Sequence, residues 1–146
     1  VSNQFIPPAA AERASTKFVE SSDGCFISTY SVASHGYAQI GWDNKKDGHG
    51  GTTAHRAAWT HVNGQIPDGM TVDHVCKNRR CVNVNHLRLL SNFENGRRTF
   101  GRDWPVGKCA NGHPDSELRQ NSRGRMECQV CRKEWSRRYN EKRKAV

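Results

Sequence analysis

DHVCKNRRCVNVNHLRLLSNFEN, residues 73–95, is the stretch on which the reading of this chain turns. Four residues separate Cys76 from Cys81, and four more separate Cys81 from His86. Two thiols and an imidazole at such short spacing form a zinc-type ligand set. His74, just before them, brings an imidazole that titrates near neutral pH. Asp73 and Asn95 bring oxygen donors, which hard divalent cations prefer. A lone Asp-His pair reads as an ordinary hydrogen bond, but the full spacing argues against that. Met70 to Val75 is strand-like, and Leu87 to Leu90 is a second short apolar run. Ser91 suits a helix N-cap, with Glu94 three residues on to complete a capping box. The stretch therefore predicts strand, loop, strand and then a helix from Asn92 towards Arg98. That order would bring His74 on a strand close to Asn95 on the helix.

Toward the N-terminus, Ala54 to Val62 reads as a short helix closed by Asn63-Gly64, and Ile66 to Gly69 as a turn. Tyr37 to Trp42 and Cys25 to Tyr30 are rich in aromatic and β-branched residues and predict strands. Asp43 to Gly51 is polar and Gly-rich, which predicts a loop or hairpin tip. Ala9 to Glu20 predicts a short helix, and residues 1–8 an irregular arm around Pro7-Pro8. In the other direction, Gly101 to Lys108 reads as a linker. Cys109, His113, Cys128 and Cys131 then form a second cluster with a Cys-x2-Cys turn, a strong zinc signal. The two clusters together use all six cysteines. From Arg132 onward the chain predicts a basic helical tail, with Trp135 and Tyr139 on one face. The fold class expected is α+β: a small mixed fold with antiparallel strands and two structural zinc sites. Its parts would be an arm and helix over 1–24, a core over 25–100, and a second zinc module with the tail over 101–146.

Only 34% of the 146 residues are hydrophobic. So short and polar a chain cannot build a large apolar core, and such chains lean on metal clips or partners. The formal charge of +9 is unevenly placed. Residues 1–70 hold five Lys/Arg against six acids, and residues 71–146 hold eighteen against eight. A one-sided basic load points to a polyanionic partner, with nucleic acid first. No run approaches the roughly 18 apolar residues of a membrane span, so no membrane role is expected. No signal-peptide pattern is visible at Val1. Reduced, zinc-binding cysteines are therefore favoured over disulfides. The compartment expected is a bacterial or phage-infected cytoplasm, or another reducing space that contains DNA.

The stretch 73–95 resembles the signature of HNH nucleases. It is especially similar to the His-Cys box (ββα-metal) branch of homing endonucleases and to related phage HNH proteins. His74, Cys76, Cys81, His86 and Asn95 fit that branch at each spacing. The resemblance covers residues 25–95 well and 109–131 more loosely. It implies a DNA endonuclease that hydrolyses phosphodiester bonds site-specifically, with Mg²⁺ (or Mn²⁺) as catalytic ion and two structural Zn²⁺ per chain. His74 would be the general base, Asn95 a ligand of the catalytic ion, and Asp73 a second ligand. Cys25, on an early strand, would close the first zinc site with Cys76, Cys81 and His86. Because His86 takes the place of the signature's central Asn, either a backbone carbonyl or Asn85 must fix the tautomer of His74. Arg56 would contact the scissile phosphate, with a salt bridge to Asp68 as the plainer alternative. His55 reads as a structural hydrogen-bonder.

Double-stranded DNA is the expected partner, met by Lys45 and Lys46 at the hairpin and by Arg97, Arg98, Arg137 and Arg138. Small nucleases of this branch pair, so a homodimer is expected. The rival reading is a zinc-stabilised DNA-binding protein that does not cut. A mere binder has no need of Asp73-His74 and Asn95 at these spacings.

Overall fold

The computed structural model describes residues 3–98 and 105–144. It separates into two compact units, Val1–Asn95 and Gly96–Val146. Part of the expected linker, residues 101–104, lies outside the described residues.

In the first unit, helix α1 (Pro8–Thr16) starts one residue earlier than expected. Proline suits the first helical position, where its fixed φ fits and its missing N–H is not needed. Ala10, Ala11 and Ala14 of α1 are buried, as are Ala54, Ala57 and Ala58 of helix α2 (Ala54–Asn63). Methyl side chains let the two helices approach closely. Ile6, Ile40, Trp42, Ile66, Val72, Val82 and Leu87 complete the core. Residues 3–6 are laced to the turn before the next strand rather than loose. Asn3 donates to the Pro67 carbonyl and Gln65 donates to the Ile6 carbonyl, at 2.6 and 2.8 Å.

The expected helix does not reach Glu20. Phe18–Glu20 is strand β1, paired antiparallel with β2 (Phe26–Ser28). Phe18 stacks on Phe26 with ring centroids 4.2 Å apart, and this cross-strand aromatic pair overrides the weak helical preference. Strand β3 (Gln39–Asn44) pairs with β4 (Gly48–Thr53), so two thirds of the expected Gly-rich loop, Asp43 to Gly51, is strand and only residues 45–47 form the hairpin tip. The reason is room. A Cβ at Gly50 would lie 2.6 Å from the Trp42 ring, which crosses that position. Glycine in a strand admits such an approach.

Strand β5 (Met70–His74) pairs antiparallel with β6 (Leu87–Ser91), setting Asp73 opposite Arg88 and His74 opposite Leu87. Helix α3 (Asn92–Gly96) follows, and Ser91 Oγ accepts the Glu94 N–H at 3.1 Å, the capping expected for Ser91. The helix stops two residues short of Arg98.

In the second unit, β7 (Leu118–Gln120) and β8 (Met126–Cys128) form an antiparallel hairpin. Helix α4 (Gln129–Lys144) begins before Arg132, so Cys131 sits in its first turn. None of its residues is buried. The whole is α+β, built from antiparallel strand pairs, as the sequence predicts. No helix among the described residues is long and apolar enough to cross a membrane.

Replacing Gly50 with Ala should force the Trp42 ring out of its seat. We expect a loss of about 1–3 kcal/mol, the usual range for overpacking, read as a lower denaturation midpoint at unchanged m. An unshifted midpoint would show that the ring is free to move.

Candidate active site and metal clusters

The Cys25–Cys76–Cys81–His86 cluster depends on backbone pairing between distant segments. The Ser28 N–H donates to the Arg80 carbonyl and the Val82 N–H to the Phe26 carbonyl, at 2.9 and 2.8 Å. The early strand β2 is thereby laid along the loop, and Cys25 comes beside it. Asn83 fastens the same junction by donating to the Gly24 carbonyl at 2.9 Å. At the loop's knuckle, Lys77 takes a left-handed φ of 60°, which a non-glycine residue adopts only under constraint.

The four ligand atoms of Cys25, Cys76, Cys81 and His86 lie within 4.8 Å of one another. His86 Nδ1 is 3.5 Å from Cys25 Sγ and 3.7 Å from Cys81 Sγ. Tetrahedral zinc, with bonds of about 2.3 Å to sulfur and about 2.0 Å to nitrogen, requires S···N edges of roughly 3.5 Å. The donor set and its spacing fit zinc. Burial, then the neighbouring thiols of Cys81 and Cys76, push the Cys25 thiol up to about 12. A metal ion is what would relieve that crowding.

Cys109, His113, Cys128 and Cys131 form an equivalent cluster in the second unit. Their three sulfurs lie 3.4, 3.6 and 3.2 Å from His113 Nδ1, and the Cys109 and Cys131 sulfurs are 3.7 Å apart. Burial raises the Cys109 thiol, but backbone N–H groups of Asn111 and His113 outweigh it and hold Cys109 at about 7. No disulfide joins any of the six cysteines.

His74 ends strand β5, 5% exposed, and its Nε2 lies 2.9 Å from the Cys81 carbonyl oxygen. A carbonyl only accepts, so Nε2 carries the proton and Nδ1 is left as the basic nitrogen. Of the two groups left open for this role, the backbone carbonyl is the one that meets His74 Nε2. Burial lowers the His74 pKa, partly offset by the Cys81 bond and the charge of Asp73. The ring is therefore neutral at physiological pH.

Two neighbours of His74 are not legible as such in the sequence. Tyr37 and His55 sit against it, with ring centroids 5.9 and 4.5 Å away. His55 bonds to the Val72 backbone, while its Nδ1 is buried without a partner. Burial, then the nearby His74 and Arg56, pushes its pKa down to about 3.

The remaining expected residues have positions or partners of their own. Asp73 receives two bonds from Arg88, at 2.9 Å from Nε and 2.8 Å from Nη2. Arg56 is half-buried and donates to Asn3 Oδ1 at 2.6 Å, while Asp68 accepts the Asn3 N–H instead of pairing with Arg56. Asn95 is half-buried on α3. That helix leaves from the Met70 end of the ribbon, and His74 stands at the other end. Lys45 and Lys46 are exposed at the β3–β4 turn, as are Arg137 and Arg138 on α4.

Arg97 and Arg98 differ from the expectation of a DNA-facing pair, being only 8% and 7% exposed. Arg97 pairs with Asp115 at 2.8 Å and donates to the Lys108 carbonyl, so it braces the second cluster. Their position next to a basic run gave no sign of burial.

Residues 52–97 match the sequence model of the family described as HNH endonuclease. That stretch is similar to HNH endonucleases. It takes in α2, the β5–β6 ribbon, the zinc-type loop and α3, but neither Cys25 nor the second cluster. The chain is also similar to phage proteins. A protein of Enterobacteria phage T3, described as an uncharacterized gene 5.3 protein, is 50% identical over 36 residues, covering 25% of this chain and 36% of its own. Protein 7.7 of Escherichia phage T7 is 37% identical over 67 residues, 46% of this chain and 48% of its own. The chain thus spans about a third to a half of these relatives' lengths. No solved structure matches it.

The buried neutral His55 predicts an acid sensitivity. Between the ordinary 6.5 and about 3, the unfolded chain takes up a proton that the folded ring refuses. Stability should therefore fall as the pH drops through that window. His55→Phe should flatten the fall, seen in melting temperatures taken between pH 7 and 5.5 in excess zinc. Parallel curves for the two proteins would show that His55 does not carry it.

Proposed function

We propose that this chain is a metal-dependent DNA endonuclease with His74 as general base. The observation that carries the reading is the His74 Nε2 bond to the Cys81 carbonyl. It leaves Nδ1 unprotonated, in a ring whose burial favours the neutral form, which is the state a general base requires. The HNH match supports a nuclease, and the basic load of residues 71–146 supports a polyanionic substrate.

In this reading His74 Nδ1 accepts the proton of the water that attacks the scissile phosphorus. His55 and Tyr37 hold the ring in place and keep bulk water from it. Arg56 turns from Asn3 to a phosphate oxygen when DNA binds. Asn95 supplies the chain's own oxygen for the divalent ion. The Arg88 pair weighs against Asp73 as a further ligand, so most of the ion's ligands would come from phosphate and water, an arrangement Mg²⁺ favours. That ion supplies neutralisation of charge on the scissile phosphate and leaving oxygen.

Zinc at both clusters fixes the loop and the second unit. Lys45 and Lys46 on the hairpin, with Arg137 and Arg138 on α4, meet the backbone of duplex DNA. Cutting both strands takes two such centres, so a homodimer belongs to the reading. The phage origin of the relatives supports a place in the infected host's cytoplasm, where thiols stay reduced. The rival, a zinc-stabilised binder that does not cut, leaves the buried His74 arrangement without a use.

His74→Ala should lower Mg²⁺-dependent cleavage of plasmid DNA by about 10²–10⁴-fold, with DNA binding retained. The acid limb of the wild-type rate should lie below the ordinary histidine range, following the direction of the His74 shift. Wild-type rates in His74→Ala would remove the base assignment.

Elemental analysis should find two zinc ions per chain. Cys81→Ser should abolish cleavage along with one zinc, because the carbonyl that orients His74 belongs to that loop. Cys128→Ser should lose the other zinc and keep measurable cleavage. Equal loss of cleavage in both would show that the second cluster is needed for the chemistry.

A further inference from the structure

The second unit holds an open groove of about 800 Å³ between the β7–β8 hairpin and the start of α4. It is lined by Trp135, which is 65% exposed, by the polar residues Gln120, Asn121 and Ser122, and by Arg123 and Arg132. Trp135 does not stand alone. Tyr139 stacks on it with centroids 5.3 Å apart and planes 13° from parallel, and the Arg143 guanidinium lies 6.0 Å from the Tyr139 ring. Water thus meets a two-ring aromatic platform on a helix that buries none of its residues.

We propose that this groove and platform seat a single-stranded stretch of nucleic acid, with an unpaired base on Trp135 and its flanking phosphates on Arg123 and Arg132. The inference rests on the reading of the chain as a nucleic-acid enzyme and names a further binding surface for it, within the second unit. Charge selects the class of partner. Helix α4 carries seven Lys/Arg against Glu134 and Glu141, so a second copy of this helix would meet like charge, whereas a polyanion meets its complement. The aromatics select the form. Paired bases keep their faces inside the stack and show only their edges in the grooves. An exposed indole beside arginines fits a base whose face is open. Asn121 already engages the carboxylate of Glu127, the acid that lines the groove, which draws it away from an incoming phosphate.

The test uses the full-length, zinc-loaded chain carrying His74→Ala, so that cleavage cannot consume the probe. Fluorescently labelled mixed-sequence oligonucleotides serve as probes, single-stranded and as the blunt duplex of the same sequence. Trp135→Ala should weaken single-strand binding about tenfold, the scale of one base–aromatic stack. Trp135→Phe should restore most of that affinity. Duplex affinity should move by less than about twofold in both variants. Arg123→Ala with Arg132→Ala should make the salt dependence of single-strand binding shallower, by up to about 0.7 for each phosphate no longer neutralised. Unchanged single-strand binding in Trp135→Ala overturns the proposal. So does an equal weakening on duplex, which would mean that only the nucleic-acid backbone is met there. A dimer that falls to monomer on Trp135→Ala in sedimentation would assign the platform to a second copy. Cleavage by the otherwise wild-type chain is scored separately, so a protein that never cuts but loses single-strand binding on Trp135→Ala refutes the nuclease reading and leaves this one standing.

Discussion

The hydrogen bond between His74 Nε2 and the Cys81 carbonyl ties the buried imidazole of strand β5 to the loop that carries three of the four first-cluster ligands. Its length, 2.9 Å, leaves little play between the two. Whatever fixes the loop therefore fixes the orientation and tautomer of the ring. In the proposed reaction, a zinc ion held by Cys25, Cys76, Cys81 and His86 would also govern the base, because one ligand thiol and the carbonyl that holds His74 belong to the same residue.

The rest of the first unit can be understood as what that bond requires. A loop of this length cannot bury enough apolar surface to hold its own shape. Strand β2 makes two backbone hydrogen bonds to it, Cys25 just before that strand adds its thiol, and Asn83 reaches back to Gly24. Against His74 lie a second imidazole and a phenol ring. Filling space in this way is destabilising, since His55 keeps an unpartnered nitrogen out of water. The alanine-lined contact between α1 and α2 has few large side chains with which to compensate. Small cores of this kind are commonly supplemented by metal clips, and the two Cys/His clusters could hold them.

The second unit solves the same problem with less. Its hairpin and helix bury little beyond the cysteines, and the cluster of Cys109, His113, Cys128 and Cys131 stands where an apolar core would be. Arg97 shows how charge is used there. One guanidinium is turned inward to Asp115 and the Lys108 carbonyl, while the arginines and lysines of α4 remain in water. A basic chain thus sorts its charges into braces and outward-facing groups, and burial is what separates the two.

The membership of the two Cys/His clusters was legible in the sequence. Spacing alone assigned Cys76, Cys81 and His86 to one cluster and the last three cysteines with His113 to another, because short loops can only present neighbouring donors to one ion. Periodicity and capping residues placed α2, β5, β6 and the start of α3, each governed by contacts within a few residues. The tertiary structure decided what depends on residues far apart. It drew β4 out of a Gly-rich run because Trp42 needed room over Gly50, and it made Phe18–Glu20 a strand because Phe26 was there to stack on Phe18. It chose the Cys81 carbonyl over Asn85 for His74, and a backbone oxygen leaves no mark in a sequence. It gave Asp73 to Arg88 and Arg56 to Asn3, and it buried Arg97 and Arg98. A charged side chain looks the same in sequence whether it faces water or a partner, and only the folded chain determines which of the two it meets.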